Sequence, residues 1–476
     1  MILTVRDILQ AAHGNLISGY PTTLCERVSI DTRTLRPGDV FFALRGPRFN
    51  GHQFVIVAAQ KRAQAVVLQR LDPDLRLAAQ SAPDLIQVPD TLAALQDLAR
   101  FVRSRARKTT FIGLSGSNGK TTTKEMLAAV LRRVGKTLST RGNLNNHIGL
   151  PLMLTELEPD HQYALLEMGT SKIGDMDLLV GLVQPKVGLI TNVGKDHLEF
   201  FGSPEGVLEV NRKLFDALPR DGAAIINLED PLLRNFSGRL ACRTVTYGRL
   251  PEAQVRATDI VASPTPLRFT LVIGKDKVPV TLQALGEIQV LNAMAAAATA
   301  HALEISATEI AAGLGSFKPA AMRMEVYPRP DGTMIINDAY NANPSSMHAS
   351  IESFCRSYPD RPRWLVLGDM RELGDVSRQE HEDLGRWIVT QAVDRVFLYG
   401  RDTRYVLEGL SSQKYHGAVE RYRKKRYLIE AVERHLKMAP KPAAGEVRQG
   451  RPAILFKASR SLKLEQVSHA LSSLPS

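Results

Sequence analysis

The run Gly113-Leu-Ser-Gly116-Ser117-Asn118-Gly119-Lys120-Thr121-Thr122 has the residue types of a phosphate-binding turn. An apolar run, Thr110–Ile112, precedes it, and a helix-like run, Lys124–Leu131, follows. Backbone N–H groups in a turn between strand and helix converge on one spot, and the helix dipole adds partial positive charge there. A polyphosphate fits that spot. Lys120 reaches the terminal phosphates, and the Thr121 hydroxyl suits a Mg²⁺ carried with them. ATP or a relative is the expected ligand. The commoner form of this turn has a glycine at the position of Leu114, whereas here the glycines fall at 113, 116 and 119. An ordinary glycine turn is the bland alternative. Against it, Gly119-Lys120-Thr121-Thr122 stands where the strand-to-helix context requires it.

Five further polar clusters follow apolar runs or lie close after them. Asn143-Leu-Asn145-Asn146-His147-Ile-Gly149-Leu-Pro151 is rich in amides, which donate and accept as recognition of sugar or peptide groups requires. A plain polar loop is its other reading. Glu167, with Met168 and Gly169, ends the run Ala164–Leu166, where a carboxylate can hold Mg²⁺ directly or through water. Thr191-Asn192-Val-Gly-Lys195-Asp196-His197-Leu-Glu199 follows Val187–Ile190. His197 there suits a metal or a phosphate, although a lone histidine is commonly structural. Asn337-Asp338-Ala-Tyr340-Asn341-Ala-Asn343-Pro344 follows Met334–Ile336, and Asp338 suits ribose hydroxyls. Lys457-Ala-Ser459-Arg460 follows Ala453–Phe456 and places cations at the same edge. Ligands of open parallel sheets sit beyond the carboxyl ends of the strands, so the shared placement says more than any one cluster.

The elements that must position these clusters fall into three segments. Residues 1–85 alternate short strands, such as Val28–Ile30, Asp39–Leu44 and Ala65–Leu68, with a helix over His52–Arg62. Asp90-Thr91 caps a bridging helix to about Arg105. Residues 86–320 alternate strands and helices as a doubly wound, mostly parallel sheet does. Within them, residues 255–285 read as an antiparallel edge, and Val290–Ala302 reads as an alanine-rich helix. Residues 321–476 form a second open α/β sheet, with strands at Met334–Ile336, Trp364–Leu367, Val396–Tyr399 and Ala453–Phe456.

The bulk composition agrees. The chain has 476 residues, 44% hydrophobic and 23% charged, which is ordinary globular usage for several domains. No apolar run approaches the ~20 residues that cross a bilayer. The N-terminus places Arg6 and Asp7 where a secretory signal is apolar, so a cytoplasmic protein without membrane insertion is expected. The 3 cysteines, Cys25, Cys242 and Cys355, are widely separated and suit a reducing compartment. The net charge is +12, and Arg421-Tyr-Arg-Lys-Lys-Arg426 is the densest basic run. It reads as a solvated helix start. Without aromatic-interleaved basic stretches, no nucleic-acid partner is expected.

These residues resemble the Mur ligase family of peptidoglycan synthesis over nearly the whole chain. Ser29-Ile-Asp31-Thr-Arg33, Pro37–Phe41 and Asn50-Gly51-His52 are similar to the family's UDP-substrate domain. Gly116–Thr122, Asn143–Pro151, Glu167–Gly169 and His197–Gly202 are similar to its central domain. Asp338–Pro344, Leu367–Met370 and Glu372–Gly374 are similar to its C-terminal domain. The resemblance implies an α/β fold in three domains: a small N-terminal UDP-substrate domain, a central P-loop doubly wound ATPase domain and a C-terminal Rossmann-like domain. The stretch Asn341–Pro344 implies the member that joins D-alanyl-D-alanine to a UDP-N-acetylmuramoyl-tripeptide, using ATP and Mg²⁺ through an acyl phosphate. A monomer is expected.

The resemblance further implies Lys120, Glu167 and His197 as catalytic residues and Thr121, Glu167 and His197 as metal ligands. It gives Gly116, Ser117, Asn118, Gly119, Lys120, Thr121, Thr122, Asn292, Arg323 and Asp338 to the nucleotide. Ser29, Asp31, Arg33, His52, Asn145, Asn146, Asn341, Asn343, Lys457, Ser459 and Arg460 go to the other substrates. Four positions, in three places, depart from the family pattern. Asn211 stands where relatives have a lysine that is carbamylated to help hold a second Mg²⁺, and Lys213 is two residues away. Ile288-Gln289 replaces His-Asn, and Ala458 replaces glycine. Asn211 motivates the alternative of a family member that binds nucleotide or UDP-sugar without turnover.

Overall fold

The computed structural model describes residues 2–46, 49–70, 83–236, 239–261, 266–439 and 450–472. They form two compact units. One comprises Met1–Ser115, Gly135–Gly188 and Lys213–Gly222; the other comprises Gly116–Val134, Leu189–Arg212 and Ala223–Ser476.

In the first unit, Val28–Ser29, Val40–Phe42, Ala65–Leu68 and Asp84–Gln87 pair in parallel in that order, and Asn15–Ser18 closes the edge antiparallel. Ala65-Val-Val-Leu68 is buried throughout, as a strand covered on both faces must be. Asp90 caps the helix Thr91–Arg105 by accepting from the N–H groups of Leu92 and Ala93 at 2.8 Å each. The helix expected over His52–Arg62 begins as a 3₁₀ turn, Gly51–Phe54, and continues as Val55–Gln60. Further along, Tyr163–Glu167 pairs in parallel with both Thr110–Ser115 and Thr137–Ser139, and Glu167 ends its strand.

The second unit holds the helix Lys120–Val134 that opens at the phosphate turn. Ala223–Asn227 and Arg243–Tyr247 run parallel. Val255–Val261, Leu267–Ile273 and Asp276–Leu282 then form the antiparallel edge read from the sequence. The helix Ile288–Ala302 is buried almost all round, which its run of alanines permits.

The same unit carries a further sheet of Glu325–Pro328, Met334–Asn337, Ala453–Lys457, Arg363–Gly368, Arg395–Tyr399 and Ala418–Tyr422, in that spatial order. Only the first pair is antiparallel. Side chains alternate across it with period two. Ile336, Leu365, Leu367, Leu398 and Leu455 join one core. Ile335, Val366, Phe397, Ile454 and Phe456 join the other. Helices cover both faces, so the carboxyl edge is where polar groups emerge. The basic run leads into a helix as read, Lys425–Met438, but its first residues, Arg421 and Tyr422, belong to the preceding strand.

Candidate active site

The phosphate turn is clamped by the segment that follows the strand Val187–Ile190. Ser117 N–H donates to the Asn192 carbonyl at 2.9 Å, and Asn118 N–H donates to Asn192 Oδ1 at 3.0 Å. Asn192 Nδ2 and Thr191 Oγ1 donate back to the Asn118 carbonyl at 2.9 and 2.7 Å. Gly116 has φ +127°, and a Cβ there would lie 2.2 Å from Thr191 Oγ1. Gly119 has φ +80°, and a Cβ there would lie 2.4 Å from Asn292 Oδ1. Both glycines are required by conformation and by space. Lys120 Nζ donates to the carbonyls of Gly116 and Ser117, and stands 3.9 Å from the Asp196 carboxylate.

A cavity of about 340 Å³ opens beside this turn. Asn118, Gly119 and Thr122 line it together with Asn292, Arg323, Asp338 and Lys457, bringing together residues that the sequence spreads over more than three hundred positions. Asn292 is held by Gln289 Oε1 at 2.9 Å and Thr123 Oγ1 at 3.3 Å. Arg323 Nη2 donates to Thr121 Oγ1 at 3.3 Å, and its guanidinium lies 4.0 Å over the Tyr340 ring. Met322 and Met324 on either side have φ +60° and +52°, a strained turn that aims the arginine between them. Asp338 is buried and accepts from Lys457 Nζ and Ser350 Oγ, each at 2.6 Å, and from Met324 N–H at 3.2 Å.

His197 packs against the loop after Gly368. Its Nδ1 is 2.7 Å from a Glu372 carboxylate oxygen, and its Nε2 is 3.9 Å from Asp196. Burial opposes the imidazolium, but Glu372 and Asp196 outweigh it, so the His197 pKa is raised above the ordinary value. The close pairing with His197 lowers the Glu372 pKa in turn. His197 and Glu372 have φ +50° and +63°, so both partners sit in the left-handed region. Nearby, Lys195 Nζ pairs with Glu380 at 2.6 Å.

Several expected substrate residues have their polar atoms engaged within the fold. Asn343 caps the helix Pro344–Ser357 through Ser346 N–H at 2.8 Å. Its Nδ2 donates to Asn118 Oδ1 at 3.1 Å and Asp196 Oδ1 at 3.2 Å, so it bridges the phosphate turn and the His197 loop. Ser459 Oγ donates to Ala342 O and accepts from Arg371 N–H. Asn341 is exposed and gives its carbonyl to Lys457. Arg460 pairs with Glu465 at 2.9 Å.

In the first unit, Glu167 is buried and accepts from Asn145 Nδ2 at 2.9 Å, while its N–H donates to Thr140 Oγ1. Asn146 Oδ1 accepts from the N–H groups of Ile148 and Gly149, at the start of the helix Gly149–Thr155. Arg33 forks onto Asp31, and Ser29 Oγ bonds the Asp31 backbone. His52 lies between Asn50 Oδ1 and Gln69 N–H.

Sequence reasoning left Asn192, Asp196, Glu372 and Tyr340 out of the site residues. Asn192 and Asp196 stand in a cluster already singled out after a strand, so position was their signal. Tyr340 stands in another such cluster, Asn337–Pro344, whereas Glu372 takes part through pairing with His197 across the fold, which spacing does not reveal.

The parallel sheets and the glycine turn at the head of a helix define a phosphate-loop α/β protein. Matches to family models narrow this: the Mur ligase family catalytic domain over residues 25–103, the Mur ligase middle domain over 114–300 and the Mur ligase glutamate ligase domain over 322–447. The UDP-N-acetylmuramoyl-tripeptide–D-alanyl-D-alanine ligase of Bacillus subtilis is 37% identical over 98% of this chain and 97% of its own. Its Escherichia coli counterpart is 34% identical over 98% of both chains. Among solved structures, MurF from Acinetobacter baumannii superposes with a TM-score of 0.89 at 31% identity, covering 100% of this chain and 99% of that one. MurF ligase from Thermotoga maritima in complex with ADP superposes with a TM-score of 0.79 at 27% identity, covering 94% of this chain and 97% of that one. The chain belongs to the Mur ligase family.

Proposed function

We infer that the chain is an ATP-dependent ligase that joins D-alanyl-D-alanine to a UDP-N-acetylmuramoyl-tripeptide in peptidoglycan synthesis. The carrying observation is the cavity that gathers the phosphate turn, Asn292, Arg323, Asp338 and Lys457. Resonance makes a carboxylate a poor electrophile, so the reaction proceeds by phosphorylating the terminal carboxylate of the tripeptide. The dipeptide amine then attacks the acyl phosphate, and phosphate leaves through a tetrahedral intermediate.

In this reading the amides from Gly116 to Thr121 cradle the polyphosphate, and Lys120 exchanges its loop carbonyls for phosphate oxygens. That cation offsets the repulsion between two anionic reactants. Asn292 contacts the base, and Asp338, held by Lys457, takes the ribose. Arg323 supplies a second cation beside Thr121. Asn145 and Asn146 orient the peptide, and Ser29, Asp31, Arg33 and His52 belong to the UDP end. Asn341, Asn343, Ser459 and Arg460 serve the acceptor side, Asn343 chiefly by holding Asn118. The three-segment division 1–85, 86–320 and 321–476 follows these tasks. The protein acts as a cytoplasmic monomer; among the described residues, no helix is long and apolar enough to cross a membrane.

The Thr121 hydroxyl and the Glu167 carboxylate are hard oxygens of the kind Mg²⁺ takes, and His197 offers Nε2. By the family resemblance these three are the proposed ligands, and a bound Mg²⁺ would neutralise charge on the phosphates.

Purified protein should release phosphate only when ATP, Mg²⁺, UDP-linked tripeptide and D-alanyl-D-alanine are all present. Lys120→Ala should abolish turnover with an unchanged melting temperature. Phosphate release indifferent to the dipeptide would overturn the reading. Nucleotide binding without turnover is the second reading. It rests on Asn211, which is buried and donates its amide back to the Val207 carbonyl at 2.9 Å, while Lys213 is exposed. ADP binding with no turnover in the complete mixture would favour it.

A further inference from the structure

The basic run that the function leaves unused does not lie on a flat surface. Arg421, Arg423 and Lys425 line a second cavity, of about 720 Å³, together with Arg371, Arg401 and Arg404. Its lining shares no residue with that of the nucleotide cavity. It opens at the carboxyl ends of Arg363–Gly368, Arg395–Tyr399 and Ala418–Tyr422, three neighbouring strands of one sheet. Lys457, which lines the nucleotide cavity, ends the next strand over, so the two cavities open along one sheet edge.

The charge balance of this cavity is one-sided. Its lining holds six cations and one carboxylate, Asp369. That carboxylate is occupied. It accepts from the N–H groups of Arg401, Asp402 and Thr403 at 2.9–3.1 Å and from Arg371 Nη2 at 2.9 Å. Asp402 gives only a 3.6 Å contact to Arg371 and a 4.0 Å contact to Arg401. Arg421 Nη2 is spent on the carbonyls of Gly400 and Arg401, which fixes its guanidinium at the wall. Arg404 lies against the Tyr405 ring at 4.4 Å, and Arg423 is exposed. The helix Lys425–Met438 begins at this rim with no side-chain cap on its N-terminus, adding partial positive charge. Six cations held in a concavity repel one another, and a fold keeps such an arrangement at a cost that a bound anion removes.

We propose that this cavity is a second anion site, built for a small, multiply charged oxyanion that arginine forks recognise. The oxyanion can be borne by a peptide substrate or arrive free as a phosphate compound. The chemistry is shared, and guanidinium pairs suit either.

Calorimetric titration of pyrophosphate into the full chain, with the nucleotide site saturated by ADP, tests this. One equivalent should bind, and more weakly as salt rises. The R404A/R423A double variant, at two exposed positions, should keep its melting temperature and ADP affinity while losing pyrophosphate affinity tenfold or more. The charge reversal R423E should do the same. No binding to the ADP-saturated protein, or binding unchanged in both variants, overturns the proposal. This arm does not depend on the ligase reading. Steady-state kinetics then separates the sources. A rise in KM for a single substrate, with pyrophosphate competing against that substrate, identifies a substrate-borne oxyanion. Unchanged KM values beside lost pyrophosphate binding identify a free one.

Discussion

Replacing Gly116 with alanine tests the phosphate turn at its tightest point. The residue sits at φ +127°, where an L side chain is strained, which costs about 1–3 kcal/mol. The new Cβ would also lie 2.2 Å from Thr191 Oγ1 and 2.9 Å from Thr191 N. The hydroxyl can move only by giving up its 2.7 Å bond to the Asn118 carbonyl, a further ~0.5–1.5 kcal/mol. The backbone nitrogen cannot move without the strand behind it. Together these disfavour the binding-competent turn by about 1.5–4.5 kcal/mol, which weakens ADP binding roughly 10- to 1,600-fold. Gly181→Ala is the control of opposite sign. It lies in the helix Asp175–Val183 with nothing within 4 Å of its added Cβ, and should stabilise by ~0.5–1 kcal/mol. Calorimetry with ADP and thermal melts on the three proteins give the comparison. A folded Gly116→Ala protein that binds ADP within about twofold of the parent would refute the argument from strain and space.

Asp338→Asn should destabilise by ~3–5 kcal/mol in urea unfolding, because it leaves the buried Lys457 ammonium uncompensated. Adding Lys457→Met should recover part of that loss; strictly additive losses would contradict the pairing. Burial lowers the His381 pKa below its ordinary 6.5, and Nε2 accepts from Met370 N–H at 3.1 Å. The unfolded chain therefore binds the proton more readily, so the His381 contribution is full above about pH 6.5 and is lost as pH falls through the lowered native value. Unfolding free energies at about pH 7.5 and 5.5 should fall toward acid, and His381→Gln should flatten the slope. Asn343→Ala removes both bridging bonds and a helix cap, so it should lower stability by ~1 kcal/mol or more and raise the KM for ATP. An unchanged KM would confine Asn343 to capping.

The elements were legible where local chemistry decides them. Asp90 before an apolar period announced the helix Thr91–Arg105, and Val187–Ile190 was an apolar run of strand length. The prolines and short runs of 255–285 announced an antiparallel edge. The phosphate turn was legible because its glycines answer to backbone geometry. What escaped was pairing between distant segments. Glu372 is 175 positions from His197, and only tertiary structure puts its carboxylate on the imidazole. The family resemblance places Asn343 among the substrate residues, but its bridge to Asn118 and Asp196 joins segments far apart in the chain and has no local signal. The basic run read as a solvated helix start because concavity has no signature in composition; Arg371 and Arg401 come from loops after two other strands, and Arg404 from the helix Thr403–Ser412.

The central claim is that the γ-phosphate passes to the carboxylate of the tripeptide before the dipeptide attacks. A single turnover with ¹⁸O in that terminal carboxylate reads this directly by mass spectrometry of the released phosphate. Transfer through an acyl phosphate places one labelled oxygen in the phosphate. Amide product accompanied by unlabelled phosphate would contradict it.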